Sequence, residues 1–380
     1  MASRWIEIGA GKAKARAYVS VPASGSGPGL ALFHEDKGLD EHATRLADLF
    51  AEEGYVVLAP DDPSEGTPNA TIAALKALPE WSGGIGALGF GGGGTRALEA
   101  AAAHSIDGAV VYYGEGLEAV LDRAGVVDRP TLFHFAGDDE AAAGIIARLK
   151  KDFPSGDVET YVYRGAGFGF AAPDSDAYDK SSAELAYSRS LALLRRIIGP
   201  RYDLNTIFDR HTELEFVTRN ADETMTTMVA EPYVNHVPVM TGGNGYAETL
   251  RFYKHHFIPT APADARLVLI SRTVGADRIV DEILFCFTHD NEIDWMLPGI
   301  PPTGKYVEIP LVAIVRFRGD KIHGEHIYWD QASVLVQIGV LDPAKYPVAG
   351  RETARKVYDE YQPSNTLMRR WHESGGKAAP

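Results

Sequence analysis

The chain has 380 residues, 45% hydrophobic and 23% charged, with a formal net charge of −15 at pH 7. That length exceeds one ordinary core and predicts two domains, and the acidic balance argues against nucleic acid and anionic membranes as partners. No apolar run reaches the roughly 18 residues of a membrane span, the N-terminus MASRWIEIGAGKAKAR lacks a secretory h-region, and a lone Cys286 excludes an intrachain disulfide, so the expectation is a cytoplasmic protein.

In chain order, GLALFH at 29–34 has the length of a buried strand, and an amphipathic helix is predicted over 41–53 after a polar turn. YVVLAPD at 55–61 is a second strand, and GIGALGF at 84–90 is a third that ends in a run of glycines. A helix follows from Thr95. Strands at 107–114 and 130–137, a helix from Glu140 and a strand from Val158 continue the alternation. Such a pattern implies a mostly parallel sheet covered by helices on both faces. The helix over 183–198 stops at Gly199-Pro200, a helix-ending glycine before a residue that cannot continue a helix, which sets the predicted domains as 1–199 and 200–380.

The glycine run has the frame G-x-nucleophile-x-G, and Gly91 stands at the nucleophile's place. It is neither a P-loop, since Thr95-Arg96 follow it, nor a dinucleotide fingerprint, since it closes the third strand of its unit rather than the first. The segment from about residue 5 to residue 198 resembles the dienelactone hydrolase family. The places of that family's site residues hold Glu35, Gly91, Asp139 within His134-Phe-Ala-Gly-Asp-Asp139, and Phe168 within Gly165-Ala-Gly-Phe-Gly-Phe170. The resemblance implies an α/β-hydrolase fold and a Cys, Asp and His triad that opens small lactones. Glycine has no nucleophile and phenylalanine takes no proton, so this half is expected to serve as a scaffold or binding module. An alternative is an atypical hydrolase of lactones or esters in which Glu35 and Asp139 activate water.

Beyond the boundary, helices are predicted within 202–228 and 247–257, followed by strands at 266–274, 277–290, 306–319 and 321–330, the last two joined at Gly319-Asp320. Helices followed by an antiparallel meander indicate an α+β domain. The succession Gly319-Asp-Lys-Ile, Glu325-His326-Ile-Tyr-Trp329-Asp330 and Gln337-Ile-Gly339 resembles the SnoaL-like branch of the NTF2-like fold over about residues 203–345. That resemblance implies a cone with a pocket, cofactor-free acid/base chemistry of isomerase, cyclase or lyase type, and a homodimer.

The residues make Asp330 a candidate acid or base, and the SnoaL-like resemblance, whose pocket aspartate it matches seven residues before Gln337, makes it the leading one. It follows the large aromatics Tyr328 and Trp329 and shares alternate-residue facing with His326, an arrangement suited to one cavity. The competing expectation is that Asp330 caps the short helix QASVLVQIG. The resemblance places His236, preceded by Asn235, at the pocket mouth as a hydrogen-bond donor, the alternative being a satisfied loop histidine, and Glu282, alternating with Val280 and Leu284, either faces the pocket or pairs with an arginine such as Arg316. Trp295 opens an apolar loop over 295–304 that is expected either to cover the pocket or to pack elsewhere. The histidine spacings, His255-His256 and His323 with His326, suit no metal, and no cofactor is expected. The expected substrate is a small apolar or aromatic carbonyl compound, and a non-enzymatic ligand-binding protein is the remaining alternative.

Overall fold

The computed structural model describes residues 1–9, 14–35, 38–61, 67–103, 105–114, 116–124, 128–137, 140–152 and 157–376. The chain divides into two compact units, Met1–Tyr202 and Asp203–Pro380, so the break falls a few residues past the Gly199-Pro200 signal.

In the first unit the elements run β1 (Ala2–Ile8), β2 (Ala15–Val21), β3 (Gly27–Phe33), α1 (Glu41–Glu52), β4 (Val56–Pro60), α2 (Thr67–Ala77), β5 (Trp81–Phe90), α3 (Gly92–Ala102), β6 (Gly108–Tyr112), α4 (Leu117–Ala124), β7 (Thr131–Ala136), α5 (Glu140–Asp152), β8 (Val158–Tyr163) and α6 (Lys180–Ile197). They form one eight-stranded sheet in the order β1-β2-β4-β3-β5-β6-β7-β8. All pairs from β4 to β8 are parallel, while β1, β2 and β4 pair antiparallel. Every residue of β3, β4, β6 and β7 is buried, which is why these segments read as continuous apolar runs rather than as alternation. The opening antiparallel pair carries Arg4, Glu7 and Arg16 at exposed positions and has no such run to mark it. Asp40 and Asp179 cap α1 and α6 by accepting backbone N–H groups of Ala43 and Ser182. The sole fully buried carboxylate pairing described in this unit ties α1 to α6: Glu53 accepts from Arg195 at 2.5 Å and from Tyr187 at 2.7 Å.

The second unit contains α7 (Leu204–Phe216), α8 (Ala221–Thr226), β9 (Met228–His236), β10 (Thr241–Asn244), α9 (Gly245–Phe252) with a π-helical turn (Tyr253–Phe257), β11 (Arg266–Val274), β12 (Arg278–Thr288), β13 (Tyr306–Arg318), β14 (Lys321–Trp329), α10 (Gln331–Gln337) and α11 (Glu352–Tyr358). Its six strands are ordered β10-β9-β14-β13-β12-β11, all antiparallel except β14 with β9. The β13–β14 hairpin turns at Gly319, whose φ of 60° suits glycine. Strands β9 and β10 lie where sequence patterning indicates only helix and loop. The reason is visible at Pro232: pairing with β14 jumps from Met228 to Tyr233, so the proline sits in the gap and hides the strand signal.

One side of this sheet faces α7 and the π-helical turn. On β12 the odd residues Ile279, Asp281, Ile283, Phe285 and Phe287 are buried there. On β14 the ladder shifts by one residue near His323, and beyond it Glu325, Ile327 and Trp329 take the inner positions. Among the described residues no helix is long and apolar enough to cross a membrane.

Candidate functional site

The first unit keeps the backbone of a nucleophile elbow without the nucleophile. Gly91 holds φ 54° and ψ −124° between β5 and α3. The turn is tight: a Cβ on Gly89 would collide with the Gly93 carbonyl, and one on Gly93 with the Phe33 carbonyl. A Cβ on Gly91 would lie 3.2 Å from Cγ of Glu35, so the Glu35 carboxylate flanks the vacated position. Around it is a cavity of about 430 Å³ whose lining includes Glu35, His42, Phe90, Tyr113, Phe168 and Asp174. Phe168 packs against Tyr113 with ring centroids 4.7 Å apart and fills the histidine's place with a ring that carries no nitrogen. Asp139 lies outside the described residues.

In the second unit the residues expected at the site separate into two groups. Asp330 does not enter a cavity. It is exposed, and its side chain accepts the N–H groups of Ala332 and Ser333 at 3.0 and 3.2 Å as the N-cap of α10. The catalytic assignment of Asp330 is therefore withdrawn in favour of the capping role. Parity is the cause, because a shift of one residue moves a strand's whole set of side chains to the other face. His326 and Tyr328 share the outer face, where His326 packs edge-on against Tyr233 and Tyr328. Asn235, opposite His326 in the ladder, is on that face too. Glu282 also points outward, accepting from Ser271 at 3.1 Å, while the neighbouring Asp281 is the buried one and pairs with Arg272 at 2.7 Å.

His236, Trp329 and Trp295 are inside. His236 stacks among Phe252, Phe257, Trp295 and Trp329, and burial pushes its imidazole down to about 4, so the ring is neutral. The start of the 295–304 segment is core rather than an exposed cover: Trp295, Met296 and Leu297 are buried, and the Trp295 and Met296 carbonyls accept from Thr241 and Gln331. The Trp295 indole N–H, on the cavity wall, has no hydrogen-bond partner among the described residues.

The cavity these residues enclose measures about 60 Å³, space for several waters or one small planar group. Its walls are mostly aromatic and aliphatic, including Phe208, Phe216, Phe257, Phe285 and Ile283, and its polar lining is confined to few groups. Three of them, Glu215, Tyr253 and Glu325, form together with His211 the cluster that sequence reasoning missed. His211 and Glu215 lie one turn apart on α7, Glu325 comes from β14, and Tyr253 opens the π-helical turn. All four are buried, each at most 6% exposed. His211 Nε2 is 3.1 Å from Glu215 and 3.4 Å from Glu325, and the Tyr253 hydroxyl is 3.4 Å from both His211 Nε2 and Glu325 Oε2. Donor atoms of His211, Glu215 and Glu325 all fall within 4.8 Å of one another, the one such buried three-ligand group among the described residues.

Electrostatics follows from this packing. Burial raises the Glu325 carboxyl to about 7, with Glu215 adding to the rise and His211 and Tyr253 opposing it. Burial alone lowers His211, but the Glu215 and Glu325 carboxylates outweigh it and the net direction is up. Tyr253 is raised by burial and by both carboxylates, so it remains a hydrogen-bond donor. The available sequence signal was His211-Thr-Glu-Leu-Glu215, an i,i+4 pair of polar groups on a helix whose other buried positions are Leu204, Phe208 and Leu214.

The two units thus define an α/β-hydrolase fold with an emptied elbow and an NTF2-like fold whose cavity carries the titratable cluster. Sequence comparison agrees: the model of the dienelactone hydrolase family matches residues 64–198, and that of a SnoaL-like domain matches residues 209–324. A carboxymethylenebutenolidase of Pseudomonas putida is 33% identical over 169 residues, covering 44% of this chain and 68% of that protein. One from Pseudomonas sp. (strain P51) is 27% identical over 213 residues, covering 48% and 90%. Through its first unit, the chain belongs to the dienelactone hydrolase family. Solved structures similar to the two parts include a dienelactone hydrolase-like promiscuous phosphotriesterase from metagenomic libraries, at 22% identity and TM-score 0.47, covering 52% of this chain and 99% of that one. A SnoaL-like polyketide cyclase described from Jannaschia sp. CCS1 has 17% identity and TM-score 0.30, covering 38% and 99%.

Proposed function

We propose that the second unit is the catalytic one and that it moves a proton at the carbon next to a carbonyl group of a small, largely apolar substrate, in an isomerase, cyclase or lyase type of reaction. The observation that carries this reading is Glu325, buried, paired with His211 and lining an aromatic cavity. Glu325 takes the proton and becomes neutral, the negative charge passes to the substrate's enolate oxygen, which the Trp295 N–H can meet, and His211 and Tyr253 hold Glu325 in place. The unpartnered Trp295 N–H supports a substrate with an acceptor oxygen, because a buried donor left unmet costs about 1–3 kcal/mol that such an oxygen removes. The test is substrate-independent: proton exchange into D2O at the α-carbon of a panel of small ketones and enones, followed by NMR. No catalysed exchange across the panel, or exchange that survives Glu325→Gln, sinks the reading.

The first unit is proposed to bind rather than turn over. Its relatives are named as carboxymethylenebutenolidases, and its cavity persists around Glu35. With glycine at the elbow and Phe168 in the histidine's place, the nucleophile and the general base are both missing. Hydrolysis of a lactone or aryl ester, lost on Asp139→Asn, would instead establish a water-activating site.

A further inference from the structure

We infer that His211, Glu215 and Glu325 form a binding site for a divalent first-row transition metal ion, which competes with the proton for the same lone pairs. The argument starts outside the cluster, at Thr227. Its hydroxyl donates to the Thr224 carbonyl at 2.6 Å, so toward His211 Nδ1, also at 2.6 Å, its oxygen can only accept. His211 therefore carries its first proton on Nδ1. That leaves Nε2 of the neutral ring as a buried acceptor facing two carboxylates, and the Tyr253 hydroxyl, 3.4 Å away, has its one proton shared with Glu325 at the same distance. An Nδ1–H fixed by an outer hydrogen bond, with Nε2 presented inward, is how metal-binding histidines are held.

Charge and spacing point the same way. With both carboxylates ionised, one proton on Nε2 leaves a net buried negative charge, and no Lys or Arg is among the residues lining the cavity. A divalent ion with a neutral imidazole balances both carboxylates. Bonds of about 2.0–2.2 Å to nitrogen and oxygen place neighbouring ligand atoms about 3.0–3.5 Å apart, and Nε2 lies 3.1 and 3.4 Å from the two carboxylates. One histidine and two carboxylates suit zinc, cobalt, manganese or iron(II), with the remaining position turned to the cavity. This site shares the cavity of the proposed reaction, but its existence does not depend on that reaction.

The experiment is titration of the chelator-treated full-length chain with Co²⁺, read by calorimetry and by the visible absorption of the bound ion, with Zn²⁺ as competitor. The expected result is one equivalent bound with the spectrum of a low-coordinate N/O site, displaced by Zn²⁺, lost in His211→Asn and Glu215→Gln, and retained in His255→Asn. Thr227→Val should weaken binding roughly 10- to 100-fold. Absence of binding, or binding that survives both ligand substitutions, overturns the inference. If either variant fails to fold, anomalous scattering from Co²⁺-soaked crystals of the unaltered chain decides the same point, with cobalt elsewhere or nowhere as the negative result. Proton exchange by the chelated protein is measured alongside: exchange without metal binding removes only the metal site, and metal binding without exchange in either state removes only the proton-transfer reading.

Discussion

Thr227 Oγ1 lies 2.6 Å from Nδ1 of His211 while giving its own proton to the Thr224 carbonyl, so one side chain at the end of α8 sets the tautomer of a histidine on α7. Thr227→Val should release that tautomer and leave the buried Nδ1–H unmet, at a cost of about 1–3 kcal/mol. Thr227→Ser should keep both effects near the parent. Nitrogen-15 shifts of the His211 ring and a thermal melt report the two quantities, and an unchanged ring signal in Thr227→Val would remove Thr227 from the argument.

Glu325 and Asp330 are separated by the test that assigned them. Glu325→Gln should lower catalysed α-proton exchange by roughly 10²- to 10⁴-fold, the usual worth of a positioned general base. Asp330→Ala should leave exchange unchanged and cost about 1 kcal/mol of stability through the lost α10 cap, and Asp330→Asn should cost less because asparagine caps nearly as well. The opposite pattern would return Asp330 to the reaction.

Two neutral buried histidines should lower stability on acidification, opposed in part by Glu325, whose carboxyl is raised to about 7 and so binds its proton more tightly in the folded state. His236 is pushed to about 4 and His134 to about 3, in both cases by burial first. The unfolded chain titrates histidine near 6.5, so between that pH and the folded values the unfolded state binds more protons and stability drops as pH falls. At pH 4 the His236 contribution reaches roughly 3 kcal/mol. Urea unfolding of the parent at pH 7 and pH 5 measures the slope. His134→Gln and His236→Gln, compared with the parent, should each flatten it; parallel pH dependences would show that neither histidine is responsible.

Gly91→Ser should not revive a hydrolase. Its φ of 54° and ψ of −124° strain a residue with a Cβ by about 1–3 kcal/mol, and the Glu35 side chain stands 3.2 Å from that Cβ. With Phe168 in the family histidine's place, the serine would have no imidazole to take its proton. A lower melting temperature and no p-nitrophenyl acetate turnover are expected; turnover above background would show that another group activates the hydroxyl.

The fold of both units was open to sequence reasoning because their central strands are apolar runs and their helices carry caps and a strong period. The emptied triad was equally visible, since Gly91 and Phe168 sit in recognisable turns and the loss of chemistry needs only the residue type. Strands β1, β2, β9 and β10 were not: one pair is half exposed, and the other is interrupted by Pro232 and short of apolar residues.

Site assignment failed at a different level. Alternation tells which residues of a strand share a face, and it correctly groups His326 with Tyr328 and Glu282 with Val280 and Leu284. It does not tell which face is inward, and the ladder shift near His323 resets parity on β14. So the pattern proposed Asp330, His326 and Glu282, while the fold buries Glu325 and Asp281, their neighbours by one. The sequence alone determined two units, a degenerate hydrolase frame and a helix start at Asp330. Only tertiary structure brought α7 over β14 and the π-helical turn beside both, because convergence of His211, Glu215, Tyr253 and Glu325 from three elements depends on packing across more than a hundred residues of chain, and no local spacing encodes it.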